Sequence, residues 1–142
     1  MKIAIGADHR GFAYKKAIME RYSDIRWNDE GTYDDERTDY PIFAQRVAQK
    51  MIAGAVERGI LICGSGQGMA IAANRFAGIY ATVVWDTQIA QVSRSDDNSN
   101  VLVIPCDFVS LELTFEMIEV WLKTEFLNGR YQKRIAMIDG GS

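Results

Sequence analysis

Residues 59–68 read Gly59-Ile60-Leu61-Ile62-Cys63-Gly64-Ser65-Gly66-Gln67-Gly68, an apolar run that opens on one glycine and empties into a glycine-rich turn. A run without polar alternation suits a strand buried on both faces, which places it centrally in a parallel sheet. The three glycines between Gly64 and Gly68 let the backbone turn its N–H groups inward. The helical pattern that follows adds the partial positive charge of a helix N-terminus, so the turn can cradle an oxyanion or a phosphate. Glycines at a strand-to-helix turn serve equally as plain tight-turn devices. The loop departs from the dinucleotide fingerprint, because Met69 stands where its third glycine belongs, and it lacks the Lys-Ser/Thr pair of a P-loop.

Outward from this run, short apolar stretches alternate with longer segments of helical period, the pattern of βαβ units wound around a parallel sheet. The expected strands are Lys2–Ala7, a short edge strand at Arg26–Asn28, Gly59–Cys63, Ile79–Trp85 and Val101–Pro105. The expected helices are Phe12–Tyr22 with Phe12, Ala13, Ala17, Ile18 and Tyr22 inward, Ile42–Ile52 opened by Pro41, Met69–Arg75, Thr87–Arg94, Ser110–Phe126 and Arg130–Ile138. Together they predict a three-layer α/β/α sandwich, Rossmann-like, with about five parallel strands, in a single domain of residues 1–142. Open sheets of this kind bind ligands outside the strand C-termini, so the site is expected at the ends of the first, third, fourth and fifth strands.

With 48% hydrophobic and 25% charged residues and only 2 prolines among 142, the composition supports a packed core rather than a disordered tail. Sixteen Lys+Arg against 19 Asp+Glu give a formal charge of -3, which argues against a nucleic-acid partner. No segment is amphipathic and basic enough to suggest a membrane surface. The chain opens on Met1-Lys2-Ile3-Ala4-Ile5 without a long apolar leader, and two cysteines are too few for a disulfide scaffold, so a reducing cytoplasm is expected. A single histidine, His9, and no cluster at metal-ligand spacing predict no metal site.

The strand ends carry the chemistry. The first ends in Asp8-His9-Arg10-Gly11, where Asp8 serves either as a helix cap or as a site carboxylate. Cys63, at the last position of the central strand and beside oriented N–H groups, is either a small buried hydrophobe or a thiol of lowered pKa, a base or a nucleophile. Cys106 lacks a glycine loop and is read as structural. Near the C-terminus Arg130 and Arg134 lie four apart on one helical face, either solvated or gripping a phosphate bound by a neighbouring subunit. The acidic stretch Asp34-Asp35-Glu36 reads as a solvated loop.

Taken together, Gly6-Ala7-Asp8-His9-Arg10-Gly11-Phe12, Gly31-Thr32-Tyr33, Arg37-Thr38-Asp39-Tyr40-Pro41, Gly59-Ile60-Leu61-Ile62-Cys63-Gly64-Ser65-Gly66, Ile71-Ala72-Ala73-Asn74-Arg75 and Gly129-Arg130-Tyr131-Gln132 resemble the ribose-5-phosphate isomerase B family, which includes the galactose-6-phosphate isomerase subunits. The resemblance implies an aldose–ketose isomerase of sugar phosphates in carbohydrate metabolism, with ribose 5-phosphate to ribulose 5-phosphate in the pentose phosphate pathway as its first reading. It also implies an enediol intermediate and no metal or cofactor. On this analogy Cys63 takes the proton from the carbon next to the carbonyl. The N–H groups of Gly64, Ser65, Gly66, Gln67 and Gly68 hold the enediolate, and Ser65 shuttles a proton between the two oxygens. Asp8, His9 and Tyr40 contact the sugar or its phosphate. Arg130 and Arg134, on the C-terminal helix within residues 129–138, reach the partner's substrate, which makes the expected assembly a homodimer or dimer of dimers with sites at the interface.

Four positions depart from the family pattern. Asp96-Asp97 stands where a His-Asn pair is usual, the histidine being the ring opener; Asp107 replaces the usual phosphate-binding arginine; and Tyr131 replaces a histidine. Asp96 can stand in for the ring opener if its neighbour Asp97 raises its pKa, with Asp97 as a further contact. Asp107 exchanges an attractive charge for a repulsive one, and the alternatives are an open-chain tetrose phosphate, a hexose phosphate such as galactose 6-phosphate, or a sugar with less negative charge, which would explain Asp107. A non-catalytic sugar-phosphate-binding subunit and a Rossmann-type nucleotide-binding domain are the readings from other classes.

Overall fold

In the computed structural model, which describes residues 1–140, five strands and six helices follow one another as β1 (Lys2–Ala7), α1 (Phe12–Arg21), β2 (Arg26–Asp29), α2 (Tyr40–Ile52), β3 (Arg58–Cys63), α3 (Gln67–Ala73), β4 (Ala81–Val83), α4 (Thr87–Ser95), β5 (Val101–Pro105), α5 (Leu111–Lys123) and α6 (Arg130–Ile138). All neighbouring strands are parallel, in the order β2-β1-β3-β5-β4. The apolar run is therefore the middle strand, as its lack of alternation predicts. Its residues divide between two cores. Ile60 and Ile62 face α1, α4 and α5 with Ile18, Ala90, Met117, Ile118 and Trp121. Leu61 and Cys63 face α2 and α3 with Phe43, Val47, Met69 and Ala73. Burial of Ile60, Leu61 and Ile62 contributes about 1.5–3 kcal/mol each.

The element boundaries differ from expectation where side chains or turns intervene. Helix α2 starts two residues earlier, with Pro41 inside its first turn. Helix α3 also starts two residues earlier, because Gly66 at φ +75° turns the chain straight into it. Helix α5 stops at Lys123 instead of Phe126, since Thr124 is already extended. Strand β4 is shorter than Ile79–Trp85. It is an edge strand whose outer side is covered by the Asn74 amide, which donates to Ala81 O at 2.9 Å and accepts from Ala81 N at 2.8 Å.

In α1 the expected inward face needs correction. Ala13 is exposed, and Lys15, only 2% exposed, points inward in its place. Its Nζ meets Asp29 Oδ1 of β2 at 2.5 Å and lies over the rings of Phe12 and Tyr33, so the ammonium is paired as a buried charge must be.

Candidate active site

The loops leaving β1, β3 and β5 meet at one end of the sheet, around a depression of about 430 Å3 lined by Asp8, Arg10, Tyr40, Cys63, Gly64, Ser65, Gly68 and Asp107. Cys63, 5% exposed, occupies the last position of β3. The αL turn at Gly66 folds the loop back beside its sulfur, where the backbone N–H groups of Met69, Gly66 and Ser65 favour the thiolate. The Ser65 and Gly66 amides, expected to hold an enediolate, also act on the thiol. Ser65 Oγ accepts from Gln67 N at 3.3 Å, so the hydroxyl is positioned within the same loop. The expectation of a lowered thiol pKa is overturned: burial pushes the Cys63 thiol up, and the Asp8 charge adds to this against the opposing amides.

Asp8, 6% exposed, accepts from Arg10 N at 3.0 Å and Gly11 N at 3.1 Å through Oδ1. Asp8 is not the helix cap, which is Gly11 without a side-chain bond; its carboxylate fixes the turn before α1 and lines the depression. The turn must pass close to β3. A Cβ on Gly11 would come within 2.6 Å of the Ile62 side chain. Tyr40 packs its ring on the loop, where a Cβ on Gly68 would lie 2.4 Å from it.

Asp107 is not the unpaired repulsive charge expected of it. Its carboxylate forms an ion pair with the Arg10 guanidinium, and this pairing raises the Arg10 pKa. Arg10 was legible in the sequence only as a neighbour of Asp8, with no role, because its partner comes from a loop 97 residues away. Cys106, read from the sequence as structural, sits between the same two loops. Its Sγ donates to Arg10 O at 3.3 Å, and burial, with the Asp107 charge second, pushes its thiol up to about 12.

His9 stands beside this depression rather than in its lining. It borders a neighbouring one with Phe12, Lys16 and Asp35. His9 N donates to Thr38 Oγ1 and Thr38 N donates to His9 Nδ1, both at 3.2 Å, so the neutral ring carries its proton on Nε2. Thr38 was quoted only as part of a family motif, and this reciprocal clamp is what it adds.

Asp96, Asp97, Arg130 and Arg134 are not brought to Cys63 within the chain. Helix α4 runs back from the C-terminal edge of the sheet, so Asp96 and Asp97 lie near the start of β5. There Asp97 borders a separate depression with Arg75, Tyr80 and Asp139. The Asp97 carboxyl is pushed up, by burial first and by the Asp96 charge second. Asp96 Oδ1 accepts from Ser95 Oγ at 2.9 Å. On α6 the exposed Arg130 and Arg134 flank the Tyr131 ring at 5.1 and 5.8 Å, and Arg130 lies near enough to Asp96 to feel its charge. The expected site residues therefore fall into two separate groups, one around Cys63 and one around Arg130.

Among the described residues, no group of three or more His, Cys, Asp or Glu side chains is placed to hold a metal ion, and no helix is long and apolar enough to cross a membrane.

This arrangement has known counterparts. The chain is 43% identical over 139 residues to ribose-5-phosphate isomerase B of Escherichia coli (strain K12), covering 96% of this chain and 93% of that protein. It is 38% identical over 132 residues to D-erythrulose-4-phosphate isomerase 2 of Mycolicibacterium smegmatis, covering 89% and 86%. The crystal structure of ribose-5-phosphate isomerase B from Mycoplasma genitalium with bound ribulose 5-phosphate superposes with a TM-score of 0.92 at 37% identity, covering 97% of this chain and 93% of that one. The ribose/galactose isomerase family model matches residues 3–138, nearly the whole described fold. The chain belongs to the ribose/galactose isomerase family.

Proposed function

We propose that this protein interconverts ribose 5-phosphate and ribulose 5-phosphate through an enediol, without a cofactor. The observation that carries the reading is Cys63, a thiol at the end of the central strand that lines the depression, with the loop amides of Met69, Gly66 and Ser65 favouring its thiolate. As thiolate it removes the proton from the carbon next to the carbonyl. The electron pair left behind forms the carbon–carbon double bond of the enediol, and the carbonyl oxygen takes up the negative charge. Cys63 then returns the proton to the neighbouring carbon. Ser65, fixed by its bond to Gln67, carries a proton between the two oxygens. Charge developing on the oxygen is met by loop amides already oriented by the Gly64–Gly68 turn, which costs no reorganisation during the step.

The far half-site acts from a second copy. Arg130 and Arg134 bind the phosphate of a substrate held by the partner's Cys63 loop, with Asp96 and Asp97 beside the sugar. This makes the working unit of residues 1–142 a homodimer or dimer of dimers. The separation of the two half-sites within one chain supports that assembly. Two free cysteines, one of them the proposed base, fit a reducing cytoplasm. Replacing Cys63 with alanine is expected to lower kcat for ketose formation from ribose 5-phosphate by about 10²–10⁴-fold while leaving substrate binding intact. Undiminished turnover overturns the assignment.

A second reading is favoured by Asp96 standing where the family's ring-opening histidine is usual. A four-carbon sugar 4-phosphate has its ring-closing oxygen esterified, stays open-chain, and needs no ring opener. The Mycolicibacterium smegmatis relative, whose name specifies a four-carbon sugar phosphate, lends it support. Comparing erythrulose 4-phosphate with ribose 5-phosphate, in the wild type and in Asp96→His, separates the two. A faster tetrose reaction, with the substitution accelerating only the pentose, selects the tetrose. Faster ribose 5-phosphate turnover that Asp96→His fails to improve selects the pentose.

A further inference from the structure

Because β3 lies between β1 and β5, the loops that leave its two neighbours face each other across its end. Arg10 and Asp107 meet there as an ion pair, directly over the glycine that follows Cys63. A Cβ on Gly64 would stand 2.7 Å from Asp107 Oδ2 and 2.9 Å from Arg10 Nε, so only glycine leaves room for the pair. Both backbones are pinned. Asp107 N donates to Gly64 O at 3.0 Å, Arg10 N donates to Asp8 Oδ1 at 3.0 Å, and Cys106 Sγ donates to Arg10 O at 3.3 Å.

The Arg10 side chain is nevertheless 56% exposed, and among the described residues Asp107 is its one side-chain partner, which leaves most of the guanidinium N–H donors free for a ligand. Around the Cys63 depression the charged side chains are Asp8, Asp107 and Arg10, two carboxylates against a single cation. A sugar phosphate, carrying roughly 1.5–2 negative charges at pH 7, finds in this chain's own lining that one cation, beside the guanidiniums that the second copy brings.

We infer that Arg10, aimed by Asp107 across Gly64, is a phosphate-binding and specificity-determining residue of this site. It supplies from the end of β1 the positive charge that the family resemblance leads one to expect after β5. Asp107 is a positioning residue, holding a long side chain in its binding geometry before the ligand arrives and so removing part of the ordering cost. The inference rests on the sugar-phosphate reading above.

The test uses the full chain and three variants, Arg10→Ala, Arg10→Lys and the double variant Arg10→Ala/Asp107→Ala, with melting temperatures alongside. Arg10→Ala is expected to raise both KM for the turned-over sugar phosphate and Ki for inorganic phosphate at least about tenfold, with kcat held within about threefold. Arg10→Lys falls between Arg10→Ala and wild type. The double variant recovers KM by about threefold or more relative to Arg10→Ala, because the carboxylate left facing the anion is gone. Should the alanine variants not fold, Arg10→Gln and Arg10→Gln/Asp107→Asn carry the same comparison. An unchanged KM, a fall in kcat alone, or equal KM in the single and double variants overturns the inference, since a purely structural pair predicts those results. If the wild type turns over no sugar phosphate, the functional reading fails separately. Calorimetric titration of inorganic phosphate then decides: binding weakened in Arg10→Ala supports the inference, and equal or absent binding overturns it.

Discussion

Cys63 shows how two opposing environments act on one atom. Burial beside the α2 and α3 core disfavours the thiolate, and the nearby Asp8 charge adds to that, whereas the amides of Met69, Gly66 and Ser65 favour it. The balance lies on the side of the thiol. A base that must be deprotonated gives a rate that rises with pH until its pKa is passed. With the Cys63 pKa raised, kcat is expected to go on climbing beyond about pH 8.5, the ordinary cysteine value. Asp8→Asn keeps the acceptor for the Arg10 and Gly11 amides but removes the charge, and so moves the climb to lower pH. A pH–rate profile of wild type and variant checks both points, and a plateau already reached near pH 7 sinks the assignment. The position of Cys63 at the strand end was legible from Ile60–Ile62 and the glycines after it. The direction of its pKa was not, because burial is contributed by helices from elsewhere in the chain.

At the level of elements, the junction of α4, α5 and β5 depends on a residue whose burial no periodicity announces. Arg94, 7% exposed, closes the last turn of α4. Its Nε donates to Thr124 O at 3.2 Å, and its Nη1 donates to Ser99 O at 2.7 Å and Asn98 Oδ1 at 3.0 Å, tying the C-terminal end of α5 to the loop before β5. The bridge continues through Ser99 Oγ, which accepts from Trp121 Nε1 at 3.2 Å. Arg94→Met keeps much of the stem's packing but leaves these carbonyls without their charged donor. It is expected to cost about 2–4 kcal/mol of unfolding free energy, read from denaturant melts. A change below about 0.5 kcal/mol marks the contacts as dispensable. The strands and helices themselves were legible because each repeats a local pattern. The inward turn of Lys15 was not, since its carboxylate partner Asp29 belongs to β2.

At the scale of the whole molecule, the separation of the proposed Cys63 and Arg130 half-sites makes mixing the decisive measurement. Cys63→Ala and the double variant Arg130→Ala/Arg134→Ala are each expected to be inactive. A heterodimer of the two contains one intact site and one doubly defective site. Random reassortment of equal amounts therefore restores about one quarter of wild-type activity. No recovery after verified subunit exchange rules out a site shared between copies.

By itself the sequence determined the parallel sheet, the central place of β3, the glycine loop and the family, because each is written in contiguous residues whose spacing obeys the geometry of strand, turn or helix. Tertiary structure alone decided which charges meet. Asp107 is paired with Arg10, Lys15 with Asp29, and Arg94 with backbone carbonyls. It also decided that Cys63 sits on the buried side of its own pKa balance. Electrostatic energy depends on distance and burial in space, and neither is contained in separation along the chain.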